Sequence, residues 1–253
     1  MNTHLPIPPS ATPAPAHGIR ILSNSVLVWL ALAACLVLVK VSLTVFFPNA
    51  LADPDQAALF AWPALGIFSG IGLVGVLLSE RTGFPAAWDT RISTWRRLLL
   101  PVGVGMAFGV AMTALDYATH FSQLIAANHG LKQQYTGFAP MFLAFSIGAP
   151  VIVEVVYRLL LIPLLLWVIS NVILRGRGQT PTFWVLAVLL SAFEPLGQAS
   201  DLRVLPVPVM VIDAALQYAL NLTQAAFFRK YGFLASILVR AGFYLVWHVV
   251  YIH

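Results

Sequence analysis

Glu154 and Arg158 stand four residues apart in an otherwise apolar run, Ala149-Pro150-Val151-Ile152-Val153-Glu154-Val155-Val156-Tyr157-Arg158-Leu159-Leu160-Leu161. On a helix that spacing stacks the two side chains on one face, where a carboxylate and a guanidinium can pair. The run itself would pass as a membrane span, and ionisable groups inside a span are costly unless they face a bundle interior or a wet cavity. More such groups follow: Glu194, Asp213, Asn221, Arg240, Tyr244 and His248 all lie in apolar stretches of the C-terminal half. Arg240, Tyr244 and His248 recur every four residues, which makes one polar stripe on a helix. Two chemistries suit this set. One is a network of ion pairs and hydrogen bonds that joins helices; the other is a hydrated functional cavity.

The elements that position these residues follow from composition. The chain has 253 residues, 60% of them hydrophobic and only 9% charged, with a mean hydropathy of +0.87. So little polar character over this length excludes a soluble domain and defines a polytopic membrane protein. Long Leu/Val/Ala runs without two-residue alternation favour helices over a barrel, since each span must satisfy its own backbone. The expected fold is therefore an all-α, polytopic helical bundle of about seven transmembrane helices. The net charge of +5 comes from residues in short loops beside spans, a topology signal and not the footprint of a nucleic-acid binder. A single cysteine, Cys35, excludes an internal disulfide or a cysteine-based metal cluster.

In chain order, residues 1–23 are expected to be a disordered, proline-rich cytoplasmic tail, and 24–253 a single integral-membrane domain. Ser25 to Phe47 is the first span. Leu32-Ala33-Ala34-Cys35 is similar to a lipoprotein cleavage site, but the chain stays apolar beyond it, so an uncleaved helix is expected. Lys40 then snorkels toward the far interface. Further spans are expected at about 57–79, 99–116, 182–199 and 205–228, and from Gly232 onward. Between the second and third lies a connection with Trp88, Trp95 and several arginines that suits an interface. His120 and His129 fall in a polar loop and read as solvated. The run from Phe138 to Leu174 is about twice one span, and Pro140, Gly148 and Pro150 are expected to break it into an arm and a spanning helix. With the tail in the cytoplasm, inner loops hold Arg20, Arg81, Arg91, Arg96, Arg97, Arg175, Arg177, Arg229 and Lys230, and outer loops only Lys132 and Arg203.

At about 1.5 Å per residue from the cytoplasmic ends, Arg158, Asp213 and His248 lie roughly 20–25 Å deep. Glu194 and Tyr244 lie near 18 Å by the same count, and Arg240 and Asn221 near 10–12 Å. These groups are close enough in depth to meet.

Val153-Glu154-Val155-Val156-Tyr157-Arg158 is similar to the Glu-Glu-x-x-x-Arg motif of the CPBP (Abi) family of intramembrane proteases, which includes the type II CAAX prenyl endopeptidases. Glu80-Arg81-Thr82-Gly83-Phe84-Pro85 and Arg229-Lys230-Tyr231-Gly232-Phe233-Leu234-Ala235-Ser236 also resemble family segments. The likeness covers about residues 80–253, with a core at about 138–252. It implies the family's helical bundle and a chemistry in which a glutamate activates water while histidines and an asparagine steady an oxyanion. The substrate would be a peptide bond near the membrane. Every catalytic motif departs from the pattern: Val153 stands where the first glutamate belongs, Pro195 at the middle histidine, Arg240 at the last-helix histidine and Tyr244 at its asparagine.

Three readings follow. A divergent intramembrane endopeptidase would use Glu154 or Glu194 as base, with Arg158 beside it, and His248 with Asn221 or Arg240 as oxyanion donors. A non-catalytic pseudoprotease would keep Asn221, Arg240, Tyr244 and Asp213 as a structural polar network and bind membrane-associated peptides or proteins. A small transporter ranks third. Expected partners are the lipid bilayer and a membrane-associated peptide or protein, with no nucleic acid. No cofactor is expected, and no metal site either, because His248 is the only well-placed imidazole. The expected location is a bacterial inner membrane with the N-terminus in the cytoplasm.

Overall fold

The computed structural model describes residues 17–51, 54–128 and 140–251. Most of the expected tail, together with Asp53, His129 and Lys132, lies outside the described residues. Helix α1 (His17–Phe46) is followed by a 3-10 turn (Pro48–Leu51), α2 (Pro54–Leu59) and α3 (Trp62–Arg81). A π-helical turn (Trp95–Leu99) runs into α4 (Leu100–Thr119), and α5 (Phe121–Asn128) follows. Helix α6 (Pro140–Glu154) continues through a π turn (Val155–Leu159) into α7 (Leu161–Leu166) and a second π segment (Trp167–Ile173). The C-terminal half holds α8 (Gln179–Ser191), α9 (Phe193–Gly197), α10 (Ala199–Leu202), α11 (Val207–Tyr231) and α12 (Phe233–Tyr244), which ends in a π turn (Leu245–Val250). Among the described residues there is no strand.

Six of these helical stretches are long and apolar enough to cross a membrane: Asn24–Phe46, Trp62–Arg81, Trp95–Thr119, Phe142–Ile173, Gln179–Gly197 and Phe233–Val250. The protein is an all-α integral membrane bundle. The remaining expected span folds as α11, whose 25 residues would reach across a bilayer. Its lower hydropathy has a structural cause: Asp213, Asn221 and Gln224 are buried against neighbouring helices.

The long run from Phe138 to Leu174 does not break where its prolines and glycine suggested. Helix α6 passes through Gly148 and Pro150, and the deformation falls later, at Val155–Leu159. Pro163 accounts for it. Lacking an N–H, it offers Leu159 no hydrogen bond, and its ring crowds that carbonyl. The ladder widens to a π turn, and the Leu159 carbonyl comes to rest on α3, where a Cβ on Gly75 would collide with it.

Small residues let backbones approach elsewhere too. Gly105 and Gly109 on α4 have the i, i+4 spacing of a close helix crossing, and they meet Val239, Phe243 and Val246 of the last helix. Gly242 answers from the other side, against the Val102 carbonyl. On the opposite flank α1 packs on α3 through Trp29, whose indole Nε1 donates to the Ser69 carbonyl at 2.9 Å. The Trp29 ring fills the space a side chain at Gly72 would need. Gly232, at φ 88°, makes the tight turn from α11 to α12 beneath the Pro85 carbonyl.

The connection between α3 and α4 is anchored by aromatic packing. Phe84 stacks on Phe228 at 4.3 Å between ring centroids and meets Phe183 edge-on at 5.8 Å, with Arg229 lying over the Phe84 and Phe183 rings. Trp88 and Trp95 remain exposed, as an interfacial segment would leave them. Arg97, expected among the loop charges, is instead 2% exposed. It donates to the Asp89 and Ile92 carbonyls and lies over the Trp88 ring, so it closes the turn from inside. Arg91 donates to both carboxylate oxygens of Asp89 through Nε, at 3.0 and 3.1 Å, and those hydrogen bonds hold the Asp89 carboxyl below its usual range. A depressed carboxyl stabilises the fold above its unfolded value near 4, and the contribution fades as pH falls through the folded value. Because Arg91 is largely exposed, Asp89→Asn should cost no more than about 1 kcal/mol at neutral pH. The difference should vanish in acid when unfolding midpoints of the two proteins are compared; a gap that persists at low pH would exclude the ion pair as its source.

Candidate functional site

Four helical elements converge on one buried polar network. The stem is the junction of α6 with its π turn, where Glu154 and Arg158 emerge on adjacent turns. Arg158 Nε donates to Glu154 Oε2 at 2.8 Å, so the spacing read from sequence does produce the pair. Arg158 Nη1 donates to Asn221 Oδ1 of α11, also at 2.8 Å. The same Asn221 oxygen accepts from Arg240 Nη2 of α12 at 2.7 Å. Arg240 then grips Glu194 of α9 with both terminal nitrogens, Nη1 to Oε1 at 2.9 Å and Nη2 to Oε2 at 2.5 Å. Asn221 is thus the hinge pin between two ion pairs, its single oxygen facing two guanidinium groups.

Ser236 of α12 closes the other end, donating from Oγ to Glu154 Oε2 at 2.8 Å. Gln224 Nε2 reaches the Ser236 carbonyl at 3.3 Å. Glu154, Ser236 and Gln224 are fully buried, and Arg158, Asn221 and Arg240 are at most 3% exposed. Two carboxylates meet two guanidinium groups, so the network carries no net charge. That balance is what lets four ionised groups sit inside a membrane domain. Some capacity is left over: Glu154 Oε1, Arg158 Nη2, Asn221 Nδ2, Gln224 Oε1 and Arg240 Nε have no hydrogen-bond partner among the described residues.

The residues singled out in the sequence do not all join this network. Tyr244 lies one turn beyond Arg240, which stands 5.9 Å from its ring. His248 lies a turn further, half-buried, with its ring edge-on to Tyr244 at 4.7 Å. Asp213 is buried apart, accepting from Gln217 Nε2 at 2.7 Å on its own helix. Ser236 was missed, although it stands four residues before Arg240 and begins the same stripe; extending the four-residue repeat backward would have found it. An acid, Asp116, was missed as well. Its carboxylate accepts from the Ser122 backbone at 2.7 Å, from Ser122 Oγ at 2.8 Å and from Tyr251 Oη at 2.9 Å, tying the chain's last described residue to the α4–α5 corner.

Among the described residues, no group of three or more His, Cys, Asp and Glu side chains gathers as a metal site. Fold and site together define a polytopic helical membrane protein with a charge-neutral, interhelical ion-pair network. Compared with protein-family models, curated proteins and solved structures, the chain finds no match.

Proposed function

We propose that this chain is a non-catalytic relative of the CPBP intramembrane proteases, a membrane scaffold that binds membrane-associated peptides or partner proteins. One observation carries the reading: Arg240, at the position where the family pattern has a histidine, is engaged in clamping Glu194 and Asn221. Glu154, the remaining motif acid, is fully buried and already accepts from Arg158 and Ser236. A general base must reach water and a scissile carbonyl, and neither acid is free to do so while holding these partners. The same residues serve instead to fix α6, α9, α11 and α12 against one another. The arginine-rich loops support a bacterial inner membrane as the location, with the N-terminus in the cytoplasm.

The peptidase reading keeps one supporting observation, the Glu154 Oε1 atom, which is buried without a partner among the described residues. Membrane proteomics separates the two. Peptide termini should be the same in cells with the wild-type chain, without the chain, and with His248→Ala, while a partner co-purifies with the first and third alone. A set of termini lost both on deletion and in His248→Ala would overturn the scaffold reading in favour of cleavage.

A further inference from the structure

We propose that the half of α1 distal to its N-terminus carries a binding site for an anionic phospholipid. A groove of about 490 Å³ opens there between α1 and the segment running into α3. Val41, Val45, Ala57, Ala61, Trp62 and Pro63 line it with apolar surface, and Lys40 brings the one charge among the described residues of its wall. Lys40 is half-buried, yet its ammonium has no ion pair or hydrogen bond to the described residues. It sits six residues, about 9 Å, below the end of α1 at Phe46. A bare ammonium at that depth is costly, and a four-carbon stem lets it reach upward toward the headgroup layer.

The groove matches a lipid in both of its parts. A phosphate at the headgroup level would meet Lys40, and an acyl chain would run along Val41 and Val45 against Ala57 and Ala61. Trp62, 57% exposed at the start of α3, stands at the rim as an interfacial indole does. Thr44 is no competitor for the phosphate's partner, since its hydroxyl donates to the Lys40 carbonyl at 2.9 Å. With no acid among the described residues of the groove wall, a headgroup with net negative charge complements the site. A zwitterionic one brings its own ammonium to compete with Lys40. The site is independent of the scaffold reading and of the buried network.

A local readout tests it. The full chain, with a photo-crosslinking amino acid at position 45, is placed in vesicles of equal phosphatidylglycerol and phosphatidylcholine, and the attached lipid is identified by mass. The wild type should capture phosphatidylglycerol about fivefold over phosphatidylcholine, the preference expected of one basic residue at an anionic surface. Lys40→Gln should bring the ratio to parity and Lys40→Arg should retain it. High salt should lower the ratio in the wild-type protein itself, a measurement that needs no variant to fold. Parity in the wild type, or a preference that survives Lys40→Gln or high salt unchanged, would overturn the proposal.

Discussion

Replacing Arg240 by methionine should destabilise the protein by about 3–5 kcal/mol, the usual cost of removing one partner from a buried pair. The size follows from the geometry. Glu194 would lose both of its guanidinium contacts, and Asn221 would keep only Arg158 as a donor. A carboxylate 7% exposed among helices has little water to replace them. The double variant Arg240→Met with Glu194→Leu should recover most of the loss, because apolar side chains of similar volume replace buried ion pairs at little cost. Unfolding in mixed detergent micelles measures both. If the single variant unfolds like the wild type, the network does not lock the helices. If the double variant is no better than the single, the loss comes from packing and not from a stranded charge. Asn221→Leu should weaken both ion pairs at once, a non-additivity that a double-mutant cycle with Arg158 would register.

The second large effect concerns the crossing of α4 and α12. Gly105→Ala should cost about 2–3 kcal/mol, at the upper end for overpacking, because the new Cβ meets the Val239 carbonyl and the Phe243 amide. Backbone cannot step aside as a side-chain tip can. Gly103 lies two residues away, with nothing within 4 Å of where its Cβ would stand; Gly103→Ala should therefore be neutral or slightly stabilising, since alanine favours helix. Opposite signs for two identical substitutions in one helix would be hard to produce by any general effect on membrane insertion. Equal losses at both positions would refute the close crossing. The same crossing matters to the network: Val239 and Gly242 flank Arg240, so displacing α12 from α4 should also loosen the grip on Glu194.

The two predictions share a cause. Helix association in a membrane lacks the hydrophobic drive available in water, so it rests on close packing and on interhelical hydrogen bonds. This chain uses glycine contacts on the α4 side of α12 and polar contacts on the α6 side. Ser236, Arg240 and Tyr244 face one way while Gly242 faces the other, which is the division of faces a helix of 3.6 residues per turn permits.

Much of this was legible without coordinates. Hydropathy and the rarity of charge determined an all-helical membrane bundle, because a bilayer leaves the backbone no other partner than its own helix. The four-residue spacing of Glu154 and Arg158 determined their pairing, since that contact is local to one helix. Long-range choices were not legible. Glu194, Asp213, Asn221, Arg240 and His248 lay close enough in depth to meet, and several pairings would have satisfied them. Only the packing of α9, α11 and α12 decided that Arg240 takes Glu194 and that Asn221 bridges both arginines, which leaves Asp213 with the local partner four residues on, Gln217. The π turn after Glu154 was another tertiary outcome, for Pro163 signalled a defect but not whether the helix would stop, kink or widen. The opening pair of residues was therefore fixed by local spacing, whereas their further partners, Asn221 and Ser236, were chosen by helices more than sixty residues away in the chain.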